Sequence, residues 1–167
     1  MKKNIIIFVL GAAAIVLLDQ ITKAAIVRNF LLHESLPVID GFFNIVYVMN
    51  PGAAFGFLAN MSETFRYLFF IGITVLVMTL IIYYILKIES QNRLYVLSLT
   101  LIFAGAAGNL IDRIRFGAVV DFLDLYIGTA HWPAFNVADS SITLGAVLII
   151  WGMIKKRKEE AASPEKM

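Results

Sequence analysis

Two aspartates, Asp121 in VVDFLD and Asp139 in FNVADSSI, are the residues of this chain best suited to do chemistry. Both sit among apolar residues, Asp139 at the start of a long apolar stretch. A carboxylate near hydrocarbon costs about 2.5–3.5 kcal/mol even on the gentlest insertion scale, so each needs a reason to be there. Two carboxyls that share one proton provide a general base and a general acid together. One takes a proton from an attacking water, the other protonates the scissile carbonyl, and neither metal nor covalent intermediate is needed. Taken singly, each aspartate also has a plainer reading. Asn136, three residues before Asp139, fits a helix N-cap followed by an acidic third residue. Strand alternation puts Asp121 and Leu123 on one face and Phe122 and Asp124 on the other, so at most one acid faces a site. The plain alternative there is a surface strand with two solvated acids.

Other polar residues accompany the pair. DQITK places Asp19 and Lys23 four apart on one helix face, where opposite charges pair; the plain reading is an interfacial ion pair with Lys23 snorkelling to water. NPGAAFGF supplies Asn50, a neutral hydrogen-bonding group, with Gly52 and Gly56 for unusual backbone geometry; a simple turn needs the same residues. In GAAGNLIDR, Ala104, Gly105 and Gly108 allow a second helix to approach closely, while Asn109 and Arg113 share a face one turn apart. An intramembrane asparagine needs a partner.

Composition indicates the scaffold that carries these residues. Of 167 residues 60% are hydrophobic and only 16% charged, against about 25% charged in a soluble domain. Mean hydropathy is +0.82, so lipid is the natural solvent. With no cysteine there is no disulfide, thiolate metal site or cysteine nucleophile. His33 and His131 are the only histidines and no HExxH, GxSxG or phosphate-binding glycine loop is present, which argues against a zinc peptidase and gives no hint of a cofactor. Four stretches of about 20 residues can cross a bilayer: about Ile5–Ile26, Tyr67–Leu86, Leu94–Ile111 and Val137–Ile154. The first resembles a secretory signal, with Lys2 and Lys3 and the A-x-A pair Ala12 and Ala14, but its apolar run continues to Leu18 and closes on DQITK, which predicts an uncleaved span.

Lys2, Lys3, Lys87, Arg93 and Lys155–Lys158 fall on one side if the spans alternate, which predicts both termini in the cytoplasm. The long connections, about Val27–Arg66 and Asp112–Asn136, then face outward. Between Pro37 and Pro51 the first is rich in β-branched and aromatic residues and reads as a strand or hairpin. AAFGFLANM reads as a short interfacial helix offering Phe55, Phe57 and Leu58 to lipid. AVVDFLDLYI reads as another strand able to pair with the first. Residues 1–154, with the short polar link KIESQNR between the second and third spans, are expected to form one membrane domain, and 155–167 a charged, disordered tail.

In this order DQITK, NPGAAFGF, GAAGNLIDR, VVDFLD and FNVADSSI resemble the lipoprotein signal peptidase (signal peptidase II) family, over nearly the whole chain except the tail. The resemblance implies an integral membrane, mainly α fold: four transmembrane helices, a small extracytoplasmic β-cradle and a short interfacial helix. It implies a bacterial inner-membrane aspartic endopeptidase that removes signal peptides from prolipoproteins, cutting before the diacylglyceryl-modified cysteine. The family's catalytic aspartates fall on Asp121 and Asp139, and its supporting residues on Asp19, Lys23, Asn50, Gly52, Asn109, Arg113 and Asn136. No metal or cofactor, lipidated prolipoproteins as substrates, surrounding membrane lipid, globomycin-like peptide inhibitors, no nucleic acid and a monomeric state complete the expectation. Two other readings compete: a small proton-coupled transporter or channel using Asp19, Lys23 and Asp139 as a relay, and a non-enzymatic membrane scaffold. Against the relay, the acids gather near one membrane boundary and no inverted repeat is present.

Overall fold

Apolar runs of this length satisfy their backbone only as helices in lipid. The computed structural model, which describes residues 2–52, 61–87 and 93–162, has four: α1 (Lys2–Asn29), α2 (Glu63–Lys87), α3 (Arg93–Phe116) and α4 (Val137–Ala162). All four are long and apolar enough to cross a membrane. Each outruns the apolar stretch that predicts it. α3 continues through Asp112 and Arg113 to Phe116, so the start of the expected outer connection is helical. It stops at Gly117, whose φ of +73° suits a left-handed cap and whose N–H donates to the Arg113 carbonyl at 2.9 Å. α4 runs through the charged residues to Ala162 instead of ending at Ile154, with Lys155 and Glu159 paired at 3.9 Å one turn apart. The short helix expected over AAFGFLANM lies outside the described residues but for Met61, as do residues 88–92 of the polar link and the tail beyond Ala162.

Packing fixes the helix directions. Phe8 of α1, Ile81 and Ile85 of α2 and Val96 of α3 form one buried cluster. Gly152 near the α4 end lies against Leu94 and Tyr95 at the α3 start. The N-terminal ends of α1 and α3 and the C-terminal ends of α2 and α4 therefore gather together, and the spans alternate. α3 and α4 pack most intimately because a Cβ on Gly105 would overlap the Ala138 carbonyl oxygen. The expected small-residue seam is thus present.

At the opposite end lies a four-stranded sheet, β1 (Ser35–Ile39), β2 (Phe43–Asn50), β3 (Val119–Ile127) and β4 (Ala130–His131), antiparallel in that order. The run after Pro37 is a hairpin, turning at Gly41 with φ +78°. Pro37, which has no N–H to give a ladder, sits in edge strand β1. The two strand-like runs do pair: Val48 of β2 faces Asp121 of β3, past a register shift between Ile45 and Val48. Ile26, Val120 and Phe122 form the core that seats the sheet on the end of α1.

Candidate active site

Asn136 joins the two aspartates. Its side-chain oxygen accepts the Asp139 N–H at 2.8 Å, the N-cap expected from sequence. Its amide donates to Asp121 at 2.7 Å and to the Val120 carbonyl at 3.2 Å. Capping and site-building are therefore one role, and the two readings of FNVAD do not compete. Asn50, at the end of β2, donates to the other Asp121 oxygen at 3.0 Å, and its own oxygen receives the Gly52 N–H at 3.0 Å. Asn109 on α3 donates to Asp139 at 2.7 Å and accepts from Lys23 at 3.0 Å. Arg113, one turn further, donates to the Gly52 carbonyl at 3.3 Å and lies 5.0 Å over the Phe70 ring. Asn50, Gly52, Asn109, Arg113 and Asn136 thus form one network with the two aspartates and Lys23.

Beneath it is an ionic cluster. Lys23 bridges Asp19 and Asp112, each at 2.9 Å, with Asp19 0% and Lys23 2% exposed. This corrects the expectation of an interfacial pair with a snorkelling lysine. The remaining oxygens explain the burial. Asp19 accepts the N–H of Ala138 at 2.9 Å, and Asp112 accepts the N–H of Val120 at 3.1 Å. Ala138 immediately precedes Asp139 and Val120 immediately precedes Asp121. Each carboxylate thereby fixes the backbone beside one of the paired aspartates. Gln20 donates to both, at 3.2 Å to Asp19 and 3.0 Å to Asp112. Gly108 lets Asp19 in: a Cβ there would stand 2.5 Å from its oxygen. Asp112 and Gln20 were not among the expected site residues. Asp112's membership of an apolar helix one turn from Gly108 was the available signal.

Asp121 and Asp139 open onto one cavity of about 840 Å³. Asn50, Gly52, Asn109 and Arg113 complete its polar end. Its apolar limb runs between Ile73 and Val77 of α2, Ile102 of α3 and Val147 of α4. Trp132–Phe135 form a further wall, and among the described residues α2 and α4 do not pack against each other. Burial first, and the charge of Asp139 second, push Asp121 up to about 7, against hydrogen bonds from Asn50 and Asn136 that favour the anion. Asp124 is absent from the cavity lining, as alternation requires. It is buried, however, where a solvated acid was the plain expectation, because Asn44 and His131 hold its oxygens.

Four alternating helices, each long and apolar enough to cross a membrane, bring two carboxylates, linked through one asparagine, to one cavity, an arrangement of a polytopic membrane protein with two acids placed for acid–base chemistry. The sequence model of signal peptidase (SPase) II matches residues 11–155. The lipoprotein signal peptidase of Syntrophus aciditrophicus (strain SB) is 53% identical over 161 residues, covering 96% of this chain and 100% of that protein. That of Geobacter metallireducens is 46% identical, with 96% and 98% covered. A solved bacterial membrane enzyme, determined by the in meso method at 2.3 Å, superposes with a TM-score of 0.81 at 38% identity, covering 95% of this chain and 91% of its own. The chain belongs to the signal peptidase II family. It is a protease and a multi-pass protein of the bacterial inner membrane.

Proposed function

We propose that Asp121 and Asp139 are the catalytic dyad with which this signal peptidase II cuts prolipoproteins, immediately before a diacylglyceryl-modified cysteine. Removal of signal peptides from prolipoproteins is the family's activity; the residues and the cleavage point are our reading. One observation carries it: Asn136 holds both aspartates at the polar end of a cavity whose other limb is apolar. Asp139, in the first turn of α4, is the ionised member, favoured there by the helix dipole. It takes the proton of the attacking water. Asp121, protonated, donates to the carbonyl oxygen, and the proton then passes to the leaving amine. Asn109, Asn136 and Asn50 orient the pair. Arg113 and Gly52 lie beside it, ready to hold substrate backbone, and Asp19 and Lys23 support it from below. At about 0.8 kcal/mol per buried CH₂, acyl chains in the apolar limb supply much of the binding energy. Globomycin-like peptides would occupy the same cavity. The enzyme acts as a monomer through one domain, residues 1–154, with 155–167 as a cytoplasmic tail. The transporter reading is not favoured.

The deciding experiment offers purified protein a diacylglyceryl-modified precursor peptide and its unlipidated twin, with no ion gradient. We expect cleavage of the first, and a kcat/KM lower by about 10²-fold or more for the second. Equal cleavage of both would leave a generic membrane peptidase as the better description.

Both termini are proposed to be cytoplasmic and the dyad extracytoplasmic, because Lys and Arg crowd the helix ends remote from the sheet. With no native cysteine, single substitutions report this cleanly. Ser35→Cys and Thr129→Cys should react with an impermeant thiol reagent in intact cells, and Ser90→Cys and Ser163→Cys should not. The reverse pattern contradicts the orientation.

A further inference from the structure

Asp124 is a buried acid that the proposed reaction does not use. It lies on the face of β3 turned from the cavity, yet it touches both neighbouring strands. Asn44 of β2 donates to it at 2.8 Å, and the His131 ring nitrogen Nδ1 of β4 lies 2.8 Å from its other oxygen. The His131 ring also stacks on Tyr126, with centroids 4.8 Å apart and planes 7° from parallel. Tyr126 in turn accepts the Gly41 N–H at 2.9 Å, so the chain of contacts reaches the β1–β2 turn. His131 is therefore fastened to the rest of the sheet on two sides while its side chain stays 50% exposed.

His131 is also the last anchored residue before a wall of the cavity. β4 has only two residues, paired with Tyr126 and Ile127, and so short a strand is weakly held by its ladder alone. The next four residues, Trp132–Phe135, form that wall. Backbone bonds from Trp132 to Leu125 and between Phe135 and Leu123 return the segment to β3. Between these points Pro133 and Ala134 line the cavity, and Asp124 holds the strand that enters the segment through His131.

We infer that Asp124 and His131 are a positioning pair that holds the Trp132–Phe135 wall against the substrate. The pair acts on binding without touching the reacting atoms. The inference rests on the proposed cleavage of lipidated precursors, so wild-type cleavage of that peptide is the first control: its failure counts against that reading and not against the positioning pair. With the wild type active, His131→Ala is expected to raise KM about tenfold while kcat stays within about twofold. Asp124→Ala, which also frees Asn44, should raise KM at least as much, and the double variant should be no worse than Asp124→Ala, since the His131 contact is already lost there. His131→Asn, which carries an N–H where the imidazole has Nδ1, should restore KM to within about threefold of wild type. A readout free of substrate uses Trp132 itself. In a Trp151→Phe background, Trp132 is the remaining tryptophan, and His131→Ala should lower its fluorescence anisotropy where His131→Asn does not. If Asp124→Ala fails to fold, the His131 variants carry the test, because that side chain is half exposed. Unchanged KM and anisotropy in His131→Ala, or a fall in kcat at constant KM, would overturn the inference.

Discussion

Asp121→Asn and Asp139→Asn are each expected to lower kcat by about 10³-fold or more while the protein stays folded and inserted in the membrane. Asparagine keeps the size of the side chain but cannot exchange a proton. The hydrogen-bond network limits the structural cost. Asp139 receives one side-chain bond, from Asn109, and an asparagine oxygen can still accept it. Asp121 receives two, from Asn50 and Asn136, and the substitution sacrifices at most one of them, a loss on the order of 1 kcal/mol. Inactivity with near-native thermal stability is therefore the signature of a reacting group. Because the two act as a unit, the double variant should be no slower than either single one. Full activity in either variant removes that residue from the reaction.

The same pair sets a pH dependence. Burial, and then the Asp139 charge, raise Asp121 to about 7. As the proton donor it is competent below that value, so kcat/KM should fall on the alkaline side with an apparent pKa near 7. A protonated-carboxyl infrared band should disappear over the same range and be missing in Asp121→Asn. If that band survives Asp121→Asn and vanishes in Asp139→Asn, the acid and base are exchanged. Stability has the same sign. The folded state binds this proton more tightly than the unfolded chain, so the contribution is complete below the ordinary carboxylate range and is lost as pH rises through about 7.

Span number, their alternation and the two pairing strands were all legible in the sequence, because apolar length and β-branched alternation are strong local signals. So was the gathering of Asp19, Lys23, Asn50, Asn109, Asn136 and the two aspartates at one end of the helices. What remained illegible depends on contacts between distant elements. Asp112 reads as a polar residue finishing a span, and only the approach of β3 shows that it holds Val120. Alternation correctly turned Asp124 from the cavity, but it could not reveal that Asn44 and His131 cover the other face. Helix ends were read short because hydropathy stops at the first charges. Capping and side-chain pairs carry α3 to Phe116 and α4 to Ala162.

Lys23→Met is expected to be the most damaging substitution outside the dyad. It leaves Asp19 and Asp112 buried, close to one another and without a cation. Removing one partner of a buried pair typically costs about 3–5 kcal/mol, and here two carboxylates lose the same partner. Gln20 can still donate to both, but it neutralises neither. The loss should also reach the dyad. As the freed carboxylates move apart, the N–H groups of Ala138 and Val120 lose their fixed acceptors, and Asp139 and Asp121 lose their mutual setting. Thermal unfolding in detergent should therefore drop by several degrees or more, together with kcat. Asp112→Asn gives the contrasting result, since it keeps an oxygen for Val120 and leaves Lys23 paired with Asp19. Combining it with Lys23→Met leaves one buried carboxylate without its lysine instead of two, so the double variant should be more stable than Lys23→Met alone. A Lys23→Met protein with native stability and native kcat would show that the cluster does not support the site.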